Sequence, residues 1–145
     1  MATIVLAGLP HSLAVSTRRE LDDLGHTTLA ALDTPQLLQA VWEAPPDLVI
    51  LDPATLVGRD GAHICSELQG WPAWQNTFMI TLSSQDEMSD RLDAFAAGAD
   101  DCLAMPFLMP ELLLRVEVLL RCQARLRRPR AAADTLRRHG DMGQV

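Results

Sequence analysis

Apolar residues along the chain follow two alternating rhythms. Short unbroken runs, "TIVLA" at residues 3–7, "LVIL" at 48–51, "FMITL" at 78–82 and "CLAM" at 102–105, have the length of strands buried on both faces. A weaker run near Thr27–Ala30 has the same character. Between the runs, apolar positions recur at helical spacing: up to Leu24, from Pro35 to about Glu43, near Asp60–Gln69, over about Gln85–Ala97, and from about Pro110 to Arg125. The last stretch places Leu112, Leu113, Val116, Leu119 and Leu120 on one stripe, the face of a helix packed on a sheet. Five strands alternating with five helices predict an α/β domain whose parallel sheet is covered on both sides.

The punctuation agrees with this reading. Thr34 before Pro35 reads as a helix N-cap, Ser84 with Glu87 as a capping box, and Gly25 and Gly98 as helix C-caps. The apolar stripe ends near residue 124. Beyond it, "RLRRPRAAADTLRRHGDMGQV" is interrupted by Pro129 and reads as a linker or tail, so the expected organisation is a domain over 1–124 followed by a basic segment, 125–145, leading toward an output domain.

Composition narrows the function. The 145 residues are 48% apolar, enough for one core, and no run approaches the roughly 18 apolar residues of a membrane span. No secretory signal pattern opens the chain, and a cytoplasmic location is expected. Cys65, Cys102 and Cys122 lie far apart, and His11, His26, His63 and His139 do not cluster with them, which argues against a disulfide framework or a zinc site. The net charge of −7 is uneven: residues 1–124 hold six arginines against seventeen acids, and residues 125–145 six arginines against two. No aromatic residue interrupts the basic tail, so direct nucleic-acid binding is expected only through an output domain. Every cation is arginine, which excludes chemistry requiring a lysine amine.

In open parallel sheets, ligands gather at the carboxyl ends of the strands. Here those ends carry Ala7 and Gly8, Asp52, Ser83 and Ser84, and Met105, and Asp52 alone is charged.

At these positions the sequence resembles the receiver domain of two-component response regulators. The resemblance is carried by "PDLVILD", "DGAHICSEL", "ITLSSQDEMSDRLDAFAAGADD" and "AGADDCLAMPFLMPELLLRVEVLLR", and extends over about residues 2–124. It implies a flavodoxin-like doubly wound fold with strand order 2-1-3-4-5. It also implies roles: Asp52 at the phosphoacceptor position, Ser83 and Cys102 at the switch positions, and a cis bond before Pro106. The family's acidic pair falls on Ala7 and Gly8 and its lysine on Met105. The loop after Asp52 is one residue longer than usual, with proline directly behind the aspartate. Arg59, within that loop, is a candidate substitute cation.

A pocket so altered has lost the charges that hold magnesium and steady a transferred phosphoryl group. No cofactor, magnesium included, and no catalysis are expected. The first expectation is therefore an atypical receiver that works by protein interaction; the alternative is a working phosphoacceptor served by a sensor kinase. A haloacid-dehalogenase-type phosphatase would need an aspartate where Ala54 stands. The resemblance further implies a homodimer through the fourth helix, fifth strand and fifth helix, with Arg91, Asp100, Asp101, Arg115 and Arg121 on the joining face. The plainer readings of the same residues stay open: Asp52 as a strand end entering a proline turn, Ser83 as a local hydrogen-bonding residue, and the charged set as a solvated surface.

Overall fold

The computed structural model describes residues 1–55, 64, 67–84, 88–96 and 98–126. Strands β1 (Thr3–Ala7), β2 (Thr27–Ala31), β3 (Leu48–Leu51), β4 (Phe78–Ser83) and β5 (Asp101–Ala104) form one sheet in the order β2-β1-β3-β4-β5. Every pairing is parallel. Helices α1 (His11–Asp23), α2 (Thr34–Glu43), α3 (residues 64 and 67–69 among those described), α4 (Met88–Ala96) and α5 (Met109–Leu126) connect the strands. The parallel sheet is what strand–helix alternation predicts, and its strand order is the doubly wound one that the receiver resemblance implies.

Alternation along the strands builds two cores. Val5, Ala7, Val49, Leu51 and Met79 pack on one side with Leu37, Val41, Leu68 and Trp74. Ile4, Leu6, Leu48, Ile50, Ile80 and Leu82 pack on the other with Leu21, Leu112 and Val116. The central strands β1 and β3 are therefore apolar at nearly every position, whereas the edge strand β2 buries only Thr28 and Ala31. That difference explains why β2 gives the weakest apolar run.

Several boundaries differ from the sequence reading. The cap of α2 is Asp33, whose Oδ1 accepts from the Gln36 N–H at 2.9 Å, while Thr34 is the first helical residue and is buried. Two adjacent cap-forming residues compete here, and the one whose side chain reaches the free amide wins. Strand β5 starts one residue early, at Asp101, and stops before Met105, which leaves Met105 in the following turn. A 3-10 turn, Pro72–Asn76, had no expected counterpart; it drives Trp74 into the core. Gly98 closes α4 at φ +104°, a conformation that favours glycine. Of the expected capping box, Glu87 lies outside the described residues, as do Arg59 and the segment 127–145.

Several polar contacts fix α5 to the rest, two of them as follows. His26 accepts the Ala2 N–H through Nδ1 at 3.1 Å and meets Glu117 through Nε2 at 2.8 Å, joining the N-terminus, β2 and α5. Near the end of α5, the buried Gln123 amide donates to the Asp47 and Asn76 carbonyls, each at 2.6 Å.

Replacing Asp33 with alanine is expected to cost about 1 kcal/mol of unfolding free energy. Trp74→Ala is expected to cost about 3–5 kcal/mol. Urea denaturation of each variant measures both, and a loss at Asp33 near zero would return the cap to Thr34.

Candidate functional site

The carboxyl ends of β1, β3, β4 and β5 converge because the parallel register aligns Ala7 with Leu51, Leu51 with Thr81, and Ser83 with Ala104. Asp52 follows β3 directly and is 3% exposed. Its backbone continues the sheet by donating to the Ala7 carbonyl at 3.0 Å. Its carboxylate Oδ1 accepts the Ala54 N–H at 3.1 Å, two residues along, the local turn that aspartate forms readily. The Thr55 N–H donates back to the Asp52 carbonyl at 3.3 Å, and the Thr55 hydroxyl donates to the Gly8 carbonyl. Gly8 has φ +73° and donates its own N–H to Ala31 at 3.0 Å, so the chain turns sharply where β1 ends.

The polar contacts of Asp52 thus run to the backbone. On the β5 side, Met105 donates its N–H to the Ser83 carbonyl at 2.7 Å, and the Met105–Pro106 bond is cis. Met105 also lines an open groove of about 570 Å³ with Leu13, Phe107 and Met109, edged by the hydroxyls of Ser12, Ser16 and Ser84. Cys102 is half-buried and lies opposite Thr81, two positions back from the Ser83–Ala104 pair.

The structure therefore gathers Ala7, Gly8, Asp52, Ser83, Met105 and Pro106 at one sheet edge. Sequence reasoning missed Thr55, whose tie to Gly8 spans 47 positions. Its only local signal was a hydroxyl residue three places after an aspartate.

The donor set suits magnesium poorly. The cation requires near-octahedral oxygen coordination, whereas alanine, glycine and methionine side chains contribute no oxygen and one Asp52 oxygen already serves Ala54. Among the described residues, no group of three or more His, Cys, Asp or Glu side chains is placed to hold a metal ion.

The charged residues form a second group on the α4, β5 and α5 side. Arg115 Nη1 donates to both Asp101 oxygens, at 3.0 and 2.9 Å, and Nη2 donates to Glu111 at 3.2 Å. The hydrogen bond to Asp101 raises the guanidinium pKa against the lowering effect of burial. Asp100 is open to solvent over much of its surface, yet its carboxylate turns inward to accept the Met79 N–H at 2.8 Å. That desolvation pushes its pKa above the ordinary carboxylate value, with the Asp101 charge adding to the rise and the Met79 bond opposing it. Arg91 and Arg121 lie exposed on α4 and α5. The side chains Met88, Leu92 and Phe95 on α4 and Leu114 and Val118 on α5 are exposed as well.

The family model described as the response regulator receiver domain matches residues 11–117. This chain belongs to the response regulator receiver family. It is 34% identical over 106 residues to Response regulator MprA of Mycobacterium tuberculosis, covering 73% of this chain and 45% of that protein. The same protein of Mycobacterium leprae matches at the same identity and coverage. The chain thus spans less than half the length of these relatives. Among solved structures, NtrX from Brucella abortus superposes with a TM-score of 0.78 at 25% identity, over 87% of this chain and 29% of that one. The receiver domain of Francisella response regulator 1452 gives 0.76 at 24% identity, over 83% of this chain and 98% of that one, which supports the fold. The family match begins after β1, so Ala7 and Gly8 precede it.

The raised Asp100 pKa sets a sign for stability. A carboxyl whose folded pKa exceeds its unfolded value favours folding fully below the unfolded pKa, and that contribution disappears as pH rises through the folded pKa. Asp100→Asn keeps the acceptor for Met79 and removes the charge. The variant is expected to melt above the parent chain at pH 7, with the gain shrinking as pH falls through the carboxylate range; an equal or lower melting temperature at pH 7 would contradict this account.

Proposed function

We propose that this receiver domain is atypical: a two-component signalling module that works through protein contacts without the magnesium-dependent phosphorylation switch. The observation that carries the proposal is the environment of Asp52. Its carboxylate is buried and bonded to the Ala54 backbone, and the carboxyl edge it shares with Ala7, Gly8 and Met105 has apolar residues where a working receiver has carboxylates for the metal and a lysine for the phosphoryl charge. Phosphoryl transfer depends on positioning and electrostatics, and these side chains supply little of either. Signal relay would also be weak, because Cys102 has no ring to reorient when Ser83 moves. The module acts as a binding partner with no catalytic step, in the cytoplasm, coupled to an output domain and to a signalling pathway that includes a sensor kinase.

Its own copy is the first partner. Met88, Leu92 and Phe95 recur on one face of α4, and with Leu114 and Val118 of α5 they leave an apolar surface open to solvent. Asp101 and Arg115 are already paired within the chain, so the apolar stripe contributes most of the association and the charges set its orientation. A second reading, phosphorylation of Asp52, is favoured by its place at the end of β3 with Ser83 on the neighbouring strand. Arg59 would then supply the missing positive charge.

Incubation with magnesium and acetyl phosphate followed by intact mass measurement separates the two readings. The native chain is expected to gain no phosphoryl mass, whereas the doubly substituted Ala7→Asp, Met105→Lys chain is expected to gain some. Stoichiometric labelling of the native chain on Asp52 would establish the second reading. Sedimentation is expected to show a dimer that Leu92→Asp weakens by at least about tenfold in Kd, as for loss of a central apolar contact; a chain that stays monomeric at high micromolar concentration would remove the self-association.

A further inference from the structure

Thr81 on β4 and Cys102 on β5 are register partners in the parallel sheet. Their neighbours Ile80, Leu82 and Leu103 belong to the core shared with α5, so strand alternation turns Thr81 and Cys102 to the opposite face, that of Met79 and of Ala94 on α4. The two residues differ in exposure. Thr81 is 3% exposed and Cys102 is half-buried, so solvent reaches Cys102 and is kept from Thr81.

The Thr81 hydroxyl is buried with no hydrogen-bond partner among the described residues. It has given up water and received nothing in exchange, an arrangement that folded cores seldom keep. A thiol, weak both as donor and as acceptor, does little for it. Neighbouring strands lie about 4.8 Å apart, a separation that one oxygen atom carried on the Cys102 sulfur would bridge by a hydrogen bond. The hydroxyl thus supplies what an oxidised sulfur needs and a reduced one does not.

We propose that Cys102 is a site of reversible oxidation to sulfenic acid by a hydroperoxide, with the Thr81 hydroxyl holding the added oxygen. The sulfur attacks the hydroxyl-bearing oxygen of the peroxide; the S–O bond forms as the O–O bond breaks, and the departing oxygen takes the thiol proton and leaves as water or an alcohol. Sulfur gives up two electrons and the peroxide accepts them. Two equivalents of a small thiol restore the cysteine, releasing the oxygen as water and leaving as their own disulfide. Helix α4 packs on this face through Ala94 and carries the exposed Met88, Leu92 and Phe95 on its outer side, so oxidation changes the footing of that apolar stripe.

Cys122, exposed on α5 on the other side of the sheet, is the internal reference. The native chain is treated with hydrogen peroxide, the peroxide is removed, and the sulfenic acid surviving at each cysteine is trapped with dimedone at intervals and measured by peptide mass. The adduct is expected at Cys102. Thr81→Val, which keeps the shape and removes the hydroxyl, is expected to shorten the lifetime of the Cys102 acid about fivefold, as for loss of one hydrogen bond, and to leave that of Cys122 unchanged. Thr81→Ser, which keeps the hydroxyl, is expected to retain the native lifetime. Absence of the adduct at Cys102 would overturn the proposal, as would equal Cys102 lifetimes in the native and Thr81→Val chains.

Discussion

The carboxyl edge of this sheet depends on how one buried carboxylate is satisfied. Asp52 stands at the end of a central strand whose neighbours are apolar on both faces, and in such surroundings an ionised group needs either opposite charge or well-placed hydrogen bonds. Here the satisfaction comes from the backbone: the Asp52 side chain accepts from Ala54, and Thr55 closes the turn onto Gly8. This local bond stabilises a compact loop and takes up one acceptor site on Oδ1. The geometry of the sheet brings Ala7, Gly8, Asp52, Ser83 and Met105 to one edge, and of these Asp52 alone has an ionisable side chain.

Parallel packing provides the frame for this. All five strands present their carboxyl ends on one side, and the two cores above and below the sheet hold that edge rigid. The absence of charge at Ala7, Gly8 and Met105 is compatible with the fold, because these residues pair through their backbones and no ionised side chain is needed there to cover a strand. Met105 instead extends the apolar wall shared with Leu13 and Phe107. On the function proposed above, stability and switching are separable in this fold.

Much of the fold was legible because strands buried on both faces and amphipathic helices have distinct periods, as in "LVIL" and the α5 stripe. The turn Pro72–Asn76 was not, since a short 3-10 segment around a single buried tryptophan has no period to detect. The α2 cap was ambiguous because Asp33 and Thr34 are both cap formers, and the choice rests on which oxygen reaches the Gln36 amide. At the site, the position of Asp52 could be read from the strand before it. The contact between Thr55 and Gly8 could not, because it depends on the relative placement of two loops. Asp101 and Arg115, which the receiver resemblance puts on a joining face, pair within the chain; a strand residue and a helix residue 14 positions apart carry no local pattern that announces such a pair.

The central claim is that the charges left at this edge do not suffice to bind magnesium and a phosphoryl group. The most direct measurement is an amide spectrum of the isotopically labelled chain titrated with magnesium chloride and then with beryllofluoride. The account predicts that the amides of Ala54, Thr55, Ser83 and Cys102 keep their positions throughout. Saturable shifts at Ala54 and Ser83 that spread through Cys102 into α5 would contradict it.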